Sequence, residues 1–383
     1  MTFFMHKPAP VDTVTGPTAA PLFLHTGWRS RGTWIWEALR RDPGAFSLYE
    51  PLHEELAALT PDLIATRQSA RWASGHGATL PYWQEFAPML RPGTVGVPGF
   101  RMRFTAEHAF ARSTDSRPEL AAYLRGLLRH PAAQGRVPVL KFCRSMGRVA
   151  WMQAAFPEAL HIVLLRRPDA QWASARLQME AMGNPYFVVM PLLVLALNAR
   201  APVVVRACQA LHLRLPQLQY DIPDRGLRIG VRMAEWLGRG PGVPWLLRRG
   251  LWRARAVCTR FVDQLSWPDR YRAFLAHWMA CTLSALPTDS LFIDADRLAE
   301  SPGLRNDMAA QLARCCGLRL HLPVDPARPV RPPPPLGGEE AEAQLAALTL
   351  LRTQQASLPA EAFMLAWSAL AAGLAGAGVL ALP

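Results

Sequence analysis

The residues best suited to chemistry fall in two stretches, 27–50 and 141–174. In the first, Gly27 and Gly32 bracket a turn that carries Arg29, Ser30 and Arg31, and Thr33 opens a run with Trp34 and Ile35. Two guanidiniums and two hydroxyls beside a helix N-terminus, whose first N–H groups lack intrahelical partners, make an anion-binding turn. A polar turn that only caps the helix is the alternative. Glu50, His53, Glu54 and Glu55 follow. A carboxylate there can take a proton from a hydroxyl. Acids are also favoured at a helix start for electrostatic reasons alone, and that account suits Glu54 and Glu55 better than Glu50. In the second stretch Lys141 closes an apolar run, and Arg166 and Ser174 stand eight residues apart around Pro168. An arginine at a strand end and a hydroxyl two turns into the next helix can converge on one phosphate.

These side chains need elements to position them. Leu22, Phe23 and Leu24 form the apolar run of a buried parallel strand. A helix starts at Thr33, with Ala38 and Leu39 continuing its apolar face. Further strands are expected over 45–50, 137–143, 161–165 and 290–293, and helices within 112–129, over 144–156, from Pro168 onward and over 269–286. The alternation gives an α/β fold, a mostly parallel sheet flanked by helices, with ligand chemistry at the carboxyl ends of the strands. Residues 1–20, with Pro8, Pro10 and Pro17, read as a flexible N-terminal arm, and 21–325 as the main domain. Within it, 183–260 reads as a helical insertion. Its segment 188–197 is strongly apolar, yet too short for a confident membrane span and broken by Pro191. Residues 225–260 hold nine arginines against one acid, Glu235, interleaved with Trp236, Trp245 and Trp252. That pattern suits a solvated basic face, an acceptor or interface region, or a grip on anionic lipid or a polyanion. Residues 56–136, with Trp72, His76, Tyr82, Trp83 and His108, suit an acceptor cleft. Residues 326–383 read as a Pro-rich spacer, around Arg331, and an uncharged apolar tail, for which a docked helix or hairpin is preferred over a membrane anchor.

The formal net charge is +13 over 383 residues, and arginine supplies nearly all the positive charge, since Lys7 and Lys141 are the only lysines. With abundant Ala, Leu and Pro this composition fits a bacterial genome of high GC content. A basic chain points to anionic ligands, nucleic acid or anionic membrane, and arginine suits bidentate phosphate recognition. The six cysteines show no C-x-x-C spacing, so neither a metal site nor a disulfide framework is expected. No zinc-finger spacing or RNA-recognition signature supports specific nucleic-acid binding. The N-terminus carries no secretory pattern, so the expected compartment is the cytoplasm, with peripheral membrane contact as an addition.

Gly27 and Gly32 have the spacing of the nucleotide-triphosphate loop, G-x-x-x-x-G-K-S/T, but Thr33 and Trp34 stand where its lysine and hydroxyl belong. The motif order instead resembles the sulfotransferases that use 3′-phosphoadenosine 5′-phosphosulfate. Their phosphosulfate loop reads Lys/Arg-Ser-Gly-Thr-Thr-Trp/Leu. Arg29, Ser30, Arg31, Gly32, Thr33 and Trp34 fall on it without gaps, with Arg31 at the family's glycine and Gly32 at its first threonine. Arg166 and Ser174 match the family's R-x-P-x-D-x-x-x-S segment for the 3′-phosphate; Asp169 stands one position early, where it is expected to cap the helix. Many members have a lysine near the transferring sulfuryl group, at a place like that of Lys141. Cys143 occupies the position of the catalytic histidine of the cytosolic branch. In the glucosaminyl and trehalose members the base is a glutamate after the loop, which implies Glu50, with His53 and Glu54 as alternates. Asp294, Asp296, Leu298, Ser301, Pro302, Gly317 and Leu318 echo the family's C-terminal layout. The basic glycine motif that completes the 3′-phosphate site in the cytosolic branch has no counterpart. The resemblance implies a P-loop-like fold, sulfuryl transfer to a carbohydrate, lipid or secondary-metabolite hydroxyl or amine, and no metal. Two rival readings are a non-enzymatic polyanion- or membrane-binding basic protein and a divergent P-loop kinase.

Overall fold

Strand alternation decides which side chains lie on each face of the sheet. In the computed structural model, which describes residues 19–66, 81–92, 95–218, 243–323 and 333–379, five strands form one sheet. They are β1 (Leu22–Thr26), β2 (Ala45–Tyr49), β3 (Val137–Phe142), β4 (Leu160–Leu165) and β5 (Leu291–Asp294), in the order β2-β3-β1-β4-β5. All pairings are parallel. A parallel sheet needs cover on both faces. Leu22, Leu24, Val139, Ile162 and Leu164 pack into a layer with Ile35, Leu39 and Leu312. Phe23, Leu48, Leu140 and Phe142 pack into the opposite layer with Leu124, Met152 and Phe156. Lys141 shares the parity of Val137 and Val139, so it stands on the first of these faces, beneath the turn that follows β1. A one-residue slip in β3 would move it into the aromatic layer.

The helices are α1 (Gly32–Arg40), α2 (Pro61–Thr66), α3 (Pro118–Ala132), α4 (Val149–Ala155), α5 (Pro168–Met182), α6 (Tyr186–Leu197) and α7 (Pro202–Ala210). Then follow α8 (Val243–Gln264), α9 (Trp267–Ala285), α10 (Ala295–Glu300), α11 (Pro302–Cys316), α12 (Gly338–Thr353) and α13 (Ala360–Gly376). α3 begins at Pro118, whose fixed φ suits a first turn. The helix expected over 144–156 starts later, with a 3-10 turn at Met146–Arg148 leading into α4. Arg144 and Ser145 lie outside it because their side chains serve Glu50 and His25.

The described parts of 183–260 pack into the core. α6 is apolar on every side because it is buried on every side. It shares one hydrophobic cluster with residues of α7, α8, α9, α12 and α13. Residues 219–242, with Trp236 and the first arginines of the basic run, lie outside the described residues, as do 1–18, 324–332, Trp72 and His76. The described C-terminal region holds two packed helices, α12 and α13, while most of the expected Pro-rich spacer lies outside the described residues. α13 seats Gly373 so closely that an added Cβ would stand 2.2 Å from Gln344 Nε2 and 3.1 Å from Asp169 Cγ. No described helix is long and apolar enough to cross a membrane.

Candidate active site

The turn after β1 is built on two left-handed arginines. Arg29 has φ 61° and Arg31 φ 66°. Five described non-glycine residues have positive φ, and Glu50, at φ 50°, is a third of them in this region. Such conformations persist only where the surroundings over-determine them, and they gather at functional sites. The left-handed conformation just before α1 is thus made by Arg31 itself. Gly32 is demanded by space: an added Cβ would lie 2.6 Å from Thr26 Cγ2 and 3.0 Å from Lys141 Cε. Thr26 is itself fixed by donating to Phe142 O at 2.7 Å. Ser30 Oγ donates to Gly27 O at 2.7 Å and shapes the turn. α1 has no side-chain cap and no acid in its first turn, so nothing on the helix itself offsets the partial positive charge of its N-terminus. Trp34 contributes its backbone to this turn, N–H to Arg31 O at 3.1 Å, while its side chain packs against the core.

The second motif meets the first here. Arg29 Nε donates to Ser174 Oγ at 2.9 Å, and Arg166 Nη1 donates to Arg29 O at 2.7 Å. Arg31 Nε and Arg166 Nε both donate to Asp296 Oδ1, at 3.1 and 3.0 Å. Three guanidiniums and a hydroxyl, from the β1–α1 turn, the end of β4 and α5, are thus linked into one chain of contacts, and two of the guanidiniums meet on the Asp296 carboxylate. Burial lowers the Arg166 pKa, and Asp296 counters this only in part. Asp296 Oδ2 is buried without a hydrogen-bond partner. Asp169 does not cap α5: it is buried and takes two hydrogen bonds from Arg167, at 3.1 and 2.6 Å. The α5 cap has no side-chain bond.

Glu50 sits at the end of β2, 3% exposed. It accepts from Lys141 Nζ at 2.5 Å, from the backbone N–H of Cys143 at 3.0 Å and from Arg144 Nη1 at 3.2 Å. Burial works against its charge, but Lys141 and Arg144 outweigh burial and hold its pKa below the usual carboxylate range. Burial opposes the Lys141 charge in the same way, yet its pKa is raised, and at neutral pH the anion beside it is Glu50. Its Nζ lies 2.9 Å from Cys143 Sγ and 4.5 Å from the Tyr49 ring centroid. Burial, with Glu50 beside it, pushes the Cys143 thiol up to about 11, so it stays protonated at neutral pH.

Glu54 is not a solvated helix-start acid. It is buried, accepts from Arg144 Nη2 at 2.8 Å and takes a bond from the Tyr186 hydroxyl at 3.4 Å. Arg144 also donates to that hydroxyl. Burial opposes the Glu54 charge, while His53 and Arg144 favour it and hold the pKa at about 2. His53 is buried and accepts the Glu55 N–H on Nδ1 at 3.2 Å. Burial lowers its pKa to about 4, so at neutral pH Arg144 is the cation that serves Glu54.

The structure therefore brings together Arg29, Ser30, Arg31, Gly32, Thr33, Arg166 and Ser174 on one side, and Glu50 and Lys141 beside them, where Lys141 Cε faces Gly32. Thr33 Oγ1 lies 3.3 Å from the Tyr49 hydroxyl and links the two halves. His53 caps the 3-10 turn Glu54–Ala58. Sequence reasoning missed Arg144 and placed Asp296 only in a C-terminal layout, with no part in the site. Both follow the carboxyl ends of parallel strands, a position that could have marked them. No group of three His, Cys, Asp or Glu side chains able to hold a metal occurs among the described residues. Comparison with protein-family models, with curated proteins and with solved structures found no match in any of the three.

Proposed function

We propose that this chain is a sulfotransferase that moves a sulfuryl group from 3′-phosphoadenosine 5′-phosphosulfate to a hydroxyl or amine acceptor, on a P-loop-like α/β domain. The observation that carries this reading is the meeting of the two motifs, Arg29 with Ser174 and Arg166 with the Arg29 carbonyl. The residues suit a nucleotide with two separate phosphates. The guanidiniums outnumber the carboxylate among them, the first turn of α1 is uncapped, and Arg144 Nε is buried without a partner. Bound, the donor supplies an activated sulfuryl group.

Arg29, Ser30, Thr33 and the α1 N-terminus would hold the 5′-phosphosulfate. Arg166 and Ser174 would hold the 3′-phosphate, with Asp296 keeping Arg166 in place. Lys141 supplies positive charge next to that cradle, where charge developing on sulfuryl and leaving oxygens is stabilised. Glu50 takes the proton of the acceptor. Its three donors make it a weak base as it stands. It becomes a stronger one when Lys141 turns its N–H groups to an incoming anion, because the nearest positive charge then leaves Glu50 Oε1. Positioning and preorganised charge do most of the work.

The test is thermal unfolding with and without 3′-phosphoadenosine 5′-phosphate. Binding to the folded chain alone raises Tm. The reading predicts a rise that depends on ligand concentration and disappears in Arg166→Ala; no rise in the parent chain contradicts it.

A further inference from the structure

A second site lies beyond Arg144, on the turn that leads into α4. Arg148 is 1% exposed. Its Nε donates to His108 O at 3.1 Å, Nη1 to Phe104 O at 2.8 Å and to Arg144 O at 3.3 Å, and Nη2 to Glu107 O at 2.7 Å. These bonds use four of the five N–H groups of a guanidinium and leave one on Nη2. All four acceptors are neutral carbonyls, and none of the described acids is ion-paired with Arg148. Burial, with Arg117 and Arg144 adding like charge, brings its pKa down to about 9. A buried cation is normally paired; this one is hydrogen-bonded but not neutralised.

Arg148 lines a pocket of about 250 Å3. Phe104, Leu120 and Trp151 give it apolar walls, and Arg117 stands beside Arg148 at its polar end. Arg117 Nε is buried without a hydrogen-bond partner. Arg117 Nη2 donates to Asp115 Oδ2 at 3.3 Å and Glu119 is ion-paired with Arg103, while none of the described acids pairs with Arg148. His108, on the same wall, is one of the described non-glycine residues with positive φ, 51°.

We infer that this pocket binds a small amphipathic monoanion, of the aryl or alicyclic carboxylate class, with the carboxylate toward Arg148 and Arg117 and the ring between Phe104 and Trp151. Two orphaned features, an uncompensated charge and an unpartnered N–H, are met by one carboxylate. The walls and volume suit a ligand at the small end of the pocket range, about 300 Å3. This site is separate from the anion turn after β1 and does not depend on the reading as a sulfotransferase.

The test is calorimetric titration of the full chain with naphthalene-2-carboxylate and, as neutral isostere, naphthalene-2-carboxamide. Substituting Arg148 risks the fold, because it ties together four carbonyls, so the variants are Arg117→Gln and Ser116→Trp, both at less buried positions of the lining. The carboxylate is expected to bind at least about tenfold more tightly than the amide, to weaken in Arg117→Gln and to be lost in Ser116→Trp. Saturating 3′-phosphoadenosine 5′-phosphate is expected to leave its heat in place. Equal affinities, no saturable heat up to the solubility limit, full binding in Ser116→Trp, or displacement by the nucleotide would each overturn the inference.

Discussion

Arg29 Nε lies 2.9 Å from Ser174 Oγ, across 145 residues of chain. This bond ties the left-handed turn after β1 to the second turn of α5, and Arg166 reinforces it from the end of β4. Ser174→Ala removes the acceptor and leaves the Arg29 guanidinium without it. A hydrogen bond from a charged donor contributes about 1.5–3 kcal/mol. The variant is expected to lose roughly 1–2 kcal/mol in urea unfolding and to bind 3′-phosphoadenosine 5′-phosphate more weakly. Unchanged stability and unchanged binding together would mean that the bond does not hold the turn.

Gly32 is a matter of space. Gly32→Ala drives a methyl into Thr26 Cγ2 and the Lys141 stem, and overpacking of this kind costs about 1–3 kcal/mol. Thr26→Ser deletes the Cγ2 and keeps the hydroxyl that donates to Phe142 O. The double variant is therefore expected to recover part of the lost stability. A double variant no better than Gly32→Ala would place the strain elsewhere.

Glu50, Lys141 and Arg144 form a buried charge cluster whose members are at most 4% exposed in their side chains. Removing one partner of such a pair costs about 3–5 kcal/mol, because the other charge is left uncompensated. Glu50→Gln keeps the shape and removes the charge. It is expected to lower stability by about 3 kcal/mol or more and to abolish turnover. Adding Lys141→Met, which removes the stranded cation, is expected to restore part of the stability but none of the activity. Denaturant midpoints of Glu50→Gln, Lys141→Met and the double variant decide this. Additive losses would show that Glu50 and Lys141 are not coupled.

Acid sensitivity follows from the buried histidines. Burial lowers His53 and His161 to about 4 and His277 to about 3. The unfolded chain takes up protons near pH 6.5, while the folded chain refuses them until about 4. Stability therefore falls as pH drops from 6.5 toward 4, on the order of 2–3 kcal/mol per histidine. Glu54, at about 2, adds stability that is complete above its unfolded pKa near 4.5 and is lost as pH falls through 2. Urea midpoints between pH 7.5 and 4 are expected to fall steeply, and His277→Phe should remove about one proton from the slope. A flat profile over that range would contradict the burial of neutral imidazoles.

The sheet was legible because each strand is a short apolar run, and the runs at 22–24, 137–143 and 161–165 all became parallel strands. Order and spacing pointed to Arg29, Arg166 and Ser174 as candidates, but the direct bonds of Arg29 with Ser174 and Arg166 appear only in the fold. Arg144 was not, since among forty arginines nothing local separates it from the rest; only the fold sets it between Glu50 and Glu54. Asp169 was misread because the cap rule is local, whereas Arg167 and the close packing of Gly373 decide its place. The apolar stretch of α6 was visible, but the partners that bury it come from residues up to 374.

The central claim is that the joined turn recognises a nucleotide by its 3′-phosphate. Calorimetric titration with 3′-phosphoadenosine 5′-phosphate, against adenosine 5′-monophosphate at two salt concentrations, tests it most directly. The account predicts tight binding that requires the 3′-phosphate and is lost in Arg166→Ala and Ser174→Ala. Equal affinity for the two nucleotides, or binding to both that fades together as salt rises, would contradict it and leave a general anion site in its place.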